Sequence, residues 1–303
     1  MKKANAAIVC VTLALASPGW AGDGNLSPAL RSLVDTERSF AKRCGEVGVR
    51  ASFLQFFADD AIAFSPEPVR YKEAVKDLPP PADPLAVRLE WEPQEGSVAS
   101  SADLGYDTGP SVLTNKSATD KPKRFGQFLS VWKRQPDGSW KVAVDIGIST
   151  PAEASPFGTP FHESAGAEDL RQREEESSSR PAQDPMMLDR QLTELSASKG
   201  TLGAYLSQAS GEIRLLRDNH MPMVGTEGLR LYLSGEGASW SPVAGEISHA
   251  GDLGYTYGSY NSGPVDSGNV EKGYYVHVCK RNVHGEWKLV ADITNPVSPD
   301  QKK

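Results

Sequence analysis

The same sequence pattern occurs twice in the chain, and this repeat is the strongest constraint on the fold. Trp91–Pro93 and Asp103–Tyr106 recur as Trp240–Pro242 and Asp252–Tyr255. The longer block Phe125–Ile146 recurs as Lys272–Ile293. The first pair of segments keeps a constant spacing of 149 residues, and the longer block keeps nine of 22 aligned positions. Each copy is close to the commonest domain size. We therefore interpret residues 26–150 and 186–297 as two tandem domains.

The N-terminal residues 1–21 have the pattern of a secretory signal peptide. Lys2 and Lys3 precede a short apolar stretch, and Gly19-Trp20-Ala21 is a small-x-small cleavage site. The stretch is too short to span a bilayer. We therefore expect export to the periplasm or secretion, after cleavage near Ala21, and no membrane span.

Two segments lie outside the repeats. Residues 151–185 are rich in Pro, Ser, Glu and Ala, and such a composition buries too little apolar surface to fold alone. We expect a disordered linker there and a disordered tail over 298–303.

Charge and cysteine content limit the classes of partner. The formal net charge is −7, which makes nucleic acid a poor partner because phosphate binding needs a basic surface. The expected mature chain keeps Cys44 and Cys279, one in each copy. An oxidising compartment permits a disulfide between them, but sequence alone also allows two buried thiols, which is the interpretation we prefer.

Each copy begins with helical periodicity and continues with strands. In the first copy, helix signals run from Ser27 to about Asp59 with an interruption at Gly45–Gly48. The second copy repeats them with a break at Gly200, and we place Tyr205-Leu206 where Phe56-Phe57 stand. A short strand, a short helix and an antiparallel meander with a hairpin at Pro136–Gly138 follow. Helices followed by a meander predict an α+β fold.

This order of elements, ending in the hairpin Val131–Lys141, resembles the SnoaL-like and ketosteroid-isomerase-like superfamily, also called the nuclear-transport-factor-type fold. Within it, the Asp-Leu-Gly-Tyr block is similar to an exported bacterial group of domains of unknown function. The resemblance covers about 30–148 and 188–295. It implies two cone-shaped units, each with N-terminal helices packed in a curved antiparallel sheet and a pocket at the open end. Because such domains often pair through their sheets, it also implies an intramolecular pseudo-dimer.

The resemblance implies little about activity, because some relatives isomerise, cyclise or dehydrate and others only bind. Asp145 and Asp292 recur in the last strand of each copy. Strict alternation puts Trp140, Val142 and Val144 on one face and Asp145 on the other. If the apolar face meets the helices, Asp145 faces away from that core and serves in a cross-strand or inter-unit hydrogen bond to Lys or Arg.

Other residues are weaker candidates. Aromatic side chains can either pack in a core or line a pocket. With the recurring acids and one histidine, they give the pocket candidates Trp91, Tyr106, Asp145, Trp240, Tyr255, Tyr257, His277 and Asp292. His277 and Cys279 are two apart on one strand, which gives only marginal contact for a catalytic pair. Asp59 and Asp60 are expected at a helix end, where solvated carboxylates are common. Neither a metal motif nor a cofactor motif is present, so we expect neither ligand.

Three functions remain open. The first is binding of a small, partly apolar molecule in one or both cones, since aromatic residues recur and no set of acids and bases does. The second is an isomerase or dehydratase with acid–base residues in one copy only. The third is a structural or protein-interaction module with filled cones.

Overall fold

The computed structural model describes residues 26–115, 123–164, 184–233, 237–263, 270–282 and 284–297. The expected signal peptide 1–21 and tail 298–303 lie outside these ranges. Within them, no helix combines the length and apolar character that a membrane span requires.

Within the described residues, the first unit has three helices and eight strands. In chain order they are α1 (Pro28–Val47), α2 (Val49–Phe56), β1 (Phe57–Phe64), β2 (Pro68–Arg70), α3 (Tyr71–Val75), β3 (Val87–Trp91), β4 (Glu95–Val98), β5 (Leu104–Asn115), β6 (Arg124–Arg134), β7 (Trp140–Thr150) and β8 (His162–Glu163). The second helix ends at Phe56, earlier than predicted, and Asp59 and Asp60 lie in β1.

The second unit repeats this order with fewer strands. Its elements are α4 (Met186–Gln208), β9 (Ala209–Arg217), β10 (Met223–Val224), α5 (Gly225–Tyr232), β11 (Ala238–Ile247), β12 (Leu253–Ser262), β13 (Glu271–Arg281) and β14 (Trp287–Pro296). The prediction of an α+β fold is therefore confirmed, with helices on one side of a mainly antiparallel sheet in each unit.

A glycine breaks the first helical segment of each unit. Gly48 has φ 86° and Gly200 has φ 74°, a region that side chains with a Cβ rarely adopt. Counting from these glycines, Phe53 and Tyr205 are equivalent because each lies five residues later. Our placement of Tyr205 opposite Phe56 was wrong by three residues.

The sheets have the strand orders β2-β1-β7-β6-β5-β4-β8 and β10-β9-β14-β13-β12-β11, and β3 also pairs with β5. In both sheets the strand after the helices joins the last long strand in parallel, β1 to β7 and β9 to β14. The neighbouring long strands are antiparallel. We call each set of helices, with the sheet face that it covers, the first or the second cone.

A β-bulge in each last strand reverses which residues face the helices. The register shifts between Val131 and Trp132 opposite β7, so Ala143 is the extra residue. Before it, Val142 packs in the core under the helices; after it, Val144 packs on the opposite face of the sheet. Asp145 therefore faces the helices. Our prediction that it faces away was wrong because alternation does not continue through a bulge.

The sheet faces that turn away from the helices pack on each other. One hydrophobic core joins them, containing residues of β5, β6 and β7 and residues of β12, β13 and β14. Tyr106 and Tyr255, which belong to the repeated block, both lie in this shared core.

The loops that carry the repeated aspartates also meet across the two units. The Ser100 backbone N–H donates to Asp252 (2.8 Å), and the equivalent His249 backbone N–H donates to Asp103 (2.9 Å). These two contacts are reciprocal.

Part of the expected linker is ordered. Phe161 is buried, and β8 pairs in parallel with β4 through His162 and Glu163. The prediction of disorder is wrong for this part, because Phe161 packs against α1 and gains apolar burial there. Residues 165–183 lie outside the described residues. Cys44 and Cys279 are both free and buried, in the separate cores of the two cones.

Candidate functional site

A row of polar side chains crosses three strands in each cone. In the first cone, Asp107 pairs in register with Ser130, and Ser130 pairs with Asp145. In the second cone, the equivalent row is Thr256, His277 and Asp292. Each row ends on the repeated aspartate and faces the helices.

An acidic side chain of the first helix lies over each row. Glu37 and Asp189 are equivalent, since each lies eleven residues before the glycine that breaks its helix. Both are buried, at 0% and 1% exposure. Glu37 follows Leu33 and precedes Phe40 on the apolar side of α1, so the helix itself directs this carboxylate into the core.

In the first cone two indole groups hold the helix acid. Trp91 Nε1 donates to Glu37 Oε1 at 2.5 Å, and Trp132 Nε1 donates to Glu37 Oε2 at 3.1 Å. Trp132 Nε1 also lies 3.3 Å from Asp107 Oδ1. Glu37 and Asp107 therefore form one buried carboxyl pair, and no cation of the described residues is in contact with it.

The pair keeps a proton near neutral pH. Burial raises the pKa of Glu37 to about 7, although the N–H groups of Trp91 and Trp132 favour its charged form. Burial, followed by the neighbouring charge of Glu37, raises the pKa of Asp107 well above its usual value. Two carboxyl groups that both contact the Trp132 N–H cannot both ionise readily, so the pair shares one proton near neutral pH.

Asp145 is the least buried acid of the three in this cone. The residue is half-buried, and Ser130 Oγ donates to its Oδ2 at 2.9 Å. Burial raises the pKa of Asp145 to about 6, against the opposing effect of the Ser130 hydrogen bond. Burial raises the pKa of Tyr71 to about 12, while the charge of Arg50 lowers it and the charge of Asp145 adds to the rise.

In the second cone, the chain supplies cations to the same positions. Arg217 donates to both oxygens of Asp292, with Nη2–Oδ2 at 2.6 Å and Nη1–Oδ1 at 3.0 Å, and the Tyr205 hydroxyl donates to Oδ2. Burial opposes ionisation, yet the charges of Arg217 and His277 outweigh it and hold the pKa of Asp292 below its usual value. Asp292 is thus a permanently charged, fully paired carboxylate.

The helix acid of the second cone is paired in the same way. Asp189 accepts from the Tyr275 hydroxyl at 2.8 Å and lies 2.7 Å from His277 Nδ1. Burial lowers the pKa of His277, but the charges of Asp292 and Asp189 outweigh burial and raise it to about 9. The imidazole is therefore protonated at neutral pH.

The two cones also differ at the end of the sheet next to these rows. Ser65, Ser111 and Gly147 stand in the first cone where Arg217, Tyr260 and Thr294 stand in the second. Ser65 and Gly147 are exposed, whereas Arg217, Tyr260 and Thr294 are 7%, 4% and 4% exposed. We call the end of the first cone bounded by Ser65, Tyr71, Ser111 and Gly147 its mouth. The equivalent end of the second cone is closed by larger side chains.

Of the predicted pocket candidates, five lie in the cones and three do not. Trp91 and Asp145 lie in the first cone, and Trp240, His277 and Asp292 lie in the second. Tyr106 and Tyr255 lie in the core between the sheets, and Tyr257 packs against it. The three tyrosines therefore line no cone, because their positions in the repeated strand point to the opposite sheet face.

Several residues that build the sites were missed from sequence. They are Glu37, Asp107, Asp189, Tyr205, Arg217 and Tyr275. A signal for Glu37 was available, since it occupies a position on the apolar stripe of α1. The conclusion that no set of acids and bases recurs missed the equivalence of Glu37 and Asp189, which becomes apparent only when the helices are aligned on their glycines.

A narrow gap near the start of α4 is lined by Pro185, Leu188, Gly254, Tyr255, Thr256, Cys279 and Trp287. It has no room for a water molecule, so it is not a ligand pocket. Burial, then the charges of Asp189 and Asp292, raises the pKa of the Cys279 thiol well above its usual value. This opposes a reactive thiolate. Among the described residues, no group of His, Cys, Asp and Glu side chains is arranged to hold a metal.

Comparisons with known proteins add names for the fold. No protein-family model and no curated protein matches the chain. Among solved structures, it is similar to an NTF-2 like protein of unknown function from Shewanella oneidensis MR-1, at 15% identity over 36% of this chain and 93% of that one, with a TM-score of 0.30.

Two further solved structures are similar. A ketosteroid isomerase-like protein from Erwinia carotovora atroseptica SCRI1043 shares 16% identity over 43% of this chain and 100% of its own, with a TM-score of 0.32. An NTF2-like protein from Cytophaga hutchinsonii ATCC 33406 shares 16% over 41% and 99%, also with a TM-score of 0.32. These names agree with the resemblance drawn from sequence. At these identities and TM-scores, the likeness transfers no activity or residue role to this chain.

Proposed function

We propose that the first cone binds a small, partly apolar molecule and that the second cone is a packed scaffold. One observation carries this proposal: Asp145 is half-buried beside an open mouth, whereas its equivalent Asp292 is fully buried and paired. Apolar walls with a few converging polar groups are what a small-molecule site requires. Phe53, Leu89 and Phe128 belong to the core beside this mouth and supply such walls.

A second candidate function is proton transfer in the same cone. A general acid or base works best when its pKa lies near the operating pH. The raised pKa values of Asp145, about 6, and Glu37, about 7, meet this condition. An isomerase or dehydratase chemistry confined to one copy would use Asp145 as the group that touches substrate. The buried Glu37–Asp107 pair would set the charge behind it.

The reciprocal contacts support an arrangement in which the two units form an intramolecular pseudo-dimer. The contacts Ser100–Asp252 and His249–Asp103 have the self-complementary form of a two-fold interface. Export through residues 1–21 is part of the same proposal and rests on sequence alone.

The proposal is tested by closing the mouth. A Cβ on Gly147 meets only Gln127 O, at 3.6 Å, so a side chain can start there, and we expect Gly147→Leu to place one on the same face as Asp145. The control is Gly211→Leu, at an exposed position in β9 with nothing within 4 Å of its Cβ. Lipid-like, aromatic and steroid-like compounds are screened by thermal shift, and compounds that stabilise the wild type are titrated by calorimetry.

We expect such compounds to bind the wild type and Gly211→Leu, and to bind Gly147→Leu at least about tenfold more weakly. No stabilising compound, or equal binding to both variants, would overturn the proposal. For proton transfer, a bound compound is followed by NMR in D2O. If one of its C–H hydrogens exchanges with solvent deuterium in the wild type and not in Asp145→Asn, this result supports proton transfer.

A further inference from the structure

The second cone shows what its carboxylates bind. Asp292 holds the guanidinium of Arg217 through two hydrogen bonds, and Asp189 holds the imidazole of His277. In this cone, two acids are therefore matched by two cationic side chains of the same chain. The equivalent first-cone acids are Asp145 and Glu37.

The first cone has lost both cations. By register, Ser65 stands at the position of Arg217, and Ser130 stands at the position of His277. Within the described residues, no Lys, Arg or His forms an ion pair with Glu37, Asp107 or Asp145. Burial and the Ser130 hydroxyl, rather than any cation, are what shift the pKa of Asp145.

Hydroxyl donors are lost as well. Phe53 replaces Tyr205, whose hydroxyl donates to Asp292, and Phe128 replaces Tyr275, whose hydroxyl donates to Asp189. Asp145 is left with one donor among the hydrogen bonds of the described residues, Ser130 Oγ. Charged carboxylates accept several donors when these are within reach, so Asp145 has acceptor capacity that the chain leaves to solvent or ligand.

Small residues stand in the first cone where Arg217 and its neighbour stand in the second. Ser65, at the position of Arg217, is exposed, and Gly147 replaces the buried Thr294. The rings of Phe53 and Tyr71 lie 5.5 Å apart at the same end. Aromatic faces attract cations, so both the carboxylate and its surroundings suit a positive head group.

We propose that the molecule bound by the first cone is an organic cation with an apolar body, an amidinium, guanidinium or protonated amine. Its head group contacts Asp145 in the place that Arg217 takes against Asp292. This inference rests on the proposed function and specifies its ligand class.

Three probes of nearly equal shape test it: benzamidine, which is positive; benzamide, which is neutral; and benzoate, which is negative. Each is titrated into the full chain by calorimetry at pH 7.5. Because hydrogen bonds to charged groups are stronger than neutral ones, we expect benzamidine to bind at least about tenfold more tightly than benzamide. Benzoate is expected not to bind. Asp145→Asn is expected to remove the preference for benzamidine.

A second variant supplies the cation from the chain. Ser65→Arg copies the second cone and is expected to raise the melting temperature and to abolish benzamidine binding. Ser65→Gln is the matched control, with a long but neutral side chain, and is expected to keep binding within about threefold of wild type.

The outcomes separate the two proposals. Equal binding of benzamidine and benzamide, both lost in Gly147→Leu, overturns the cation inference and leaves the proposed site in place. Equal loss in Ser65→Arg and Ser65→Gln also overturns it. Binding of none of the three probes overturns the cation inference, and the absence of any ligand in the wider screen overturns the proposed function.

Discussion

The two cones share one frame and neutralise its acids in opposite ways. Asp145 and Asp292 occupy equivalent places after equivalent bulges, and Glu37 and Asp189 occupy equivalent places in the first helix. In the second cone, Arg217 and His277 keep Asp292 charged, and His277 also pairs with Asp189. In the first cone, burial without cations raises the acid pKa values instead. The frame was therefore duplicated, while the source of the compensating charge diverged.

This difference separates carboxylates that only stabilise the fold from one that can bind a ligand. A buried carboxylate whose hydrogen-bond capacity is used within the chain has nothing left to offer a ligand. A half-buried carboxylate beside an opening retains that capacity. The first cone thus keeps a carboxylate whose charge a ligand can balance, whereas the second cone balances its carboxylates with its own side chains.

The largest expected effect comes from making one substitution in both cones. Asp292→Asn leaves the Arg217 guanidinium buried without its partner carboxylate, and such losses cost about 3–5 kcal/mol. Asp145→Asn removes a carboxylate that burial already disfavours, so the expected change is below about 1 kcal/mol in either direction. Urea unfolding of both variants measures the difference. Equal losses would mean that the cones are energetically alike and that the comparison fails.

A smaller effect is expected in the pH dependence of stability. The pKa of Glu37 is 4.5 in its ordinary state and about 7 in the fold, so the folded state holds a proton that the unfolded state has released in this window. Its contribution is fully present below about pH 4.5 and is lost as the pH rises through 7. The free energy of unfolding should therefore fall with rising pH by up to about 1.4 kcal/mol per unit.

Glu37→Gln should reduce this slope, as measured by urea unfolding between pH 4.5 and 7.5, while Asp145, whose pKa is also raised, keeps a share of it below about pH 6. Glu46→Gln, at an exposed position on the same helix, is the control and should leave the profile unchanged. A slope that is as steep in Glu37→Gln as in the wild type would show that Glu37 is not a group that titrates in this window.

The sequence was sufficient for the parts of the fold that local rules determine. The repeat, the helix breaks at Gly48 and Gly200 and the hairpin at Pro136–Gly138 follow from glycine conformation, turn chemistry and periodicity. The recurrence of Asp145 and Asp292 also selected two of the residues that matter. These inferences depend on neighbours along the chain.

The rest depended on tertiary structure. The bulge at Ala143 turns Asp145 toward the helices, and no rule of alternation locates such a bulge in advance. From sequence, Arg217 is only the last residue of a strand. The parallel pairing of β9 with β14 is what brings it to Asp292. The decisive difference, Ser65 opposite Arg217, becomes apparent only in the register of the two sheets.

The smallest expected effect concerns the contact between the units. Asp252 is 7% exposed and accepts from the Ser100 N–H and from Ser248 Oγ, so Asp252→Ala leaves buried donors unpaired and should cost about 1–3 kcal/mol. Asp103, with 23% side-chain exposure, makes the reciprocal contact to His249, and water can replace it there. Asp103→Ala should therefore cost less than about 1 kcal/mol.

Thermal unfolding of both single variants and of the double variant measures these losses. Because the two contacts join the same pair of loops, the losses should not add in the double variant. Additive losses would mean that each aspartate only supports its own loop. A non-additive result would identify the repeated aspartate as an interface residue, which explains why it recurs although it lies in neither cone.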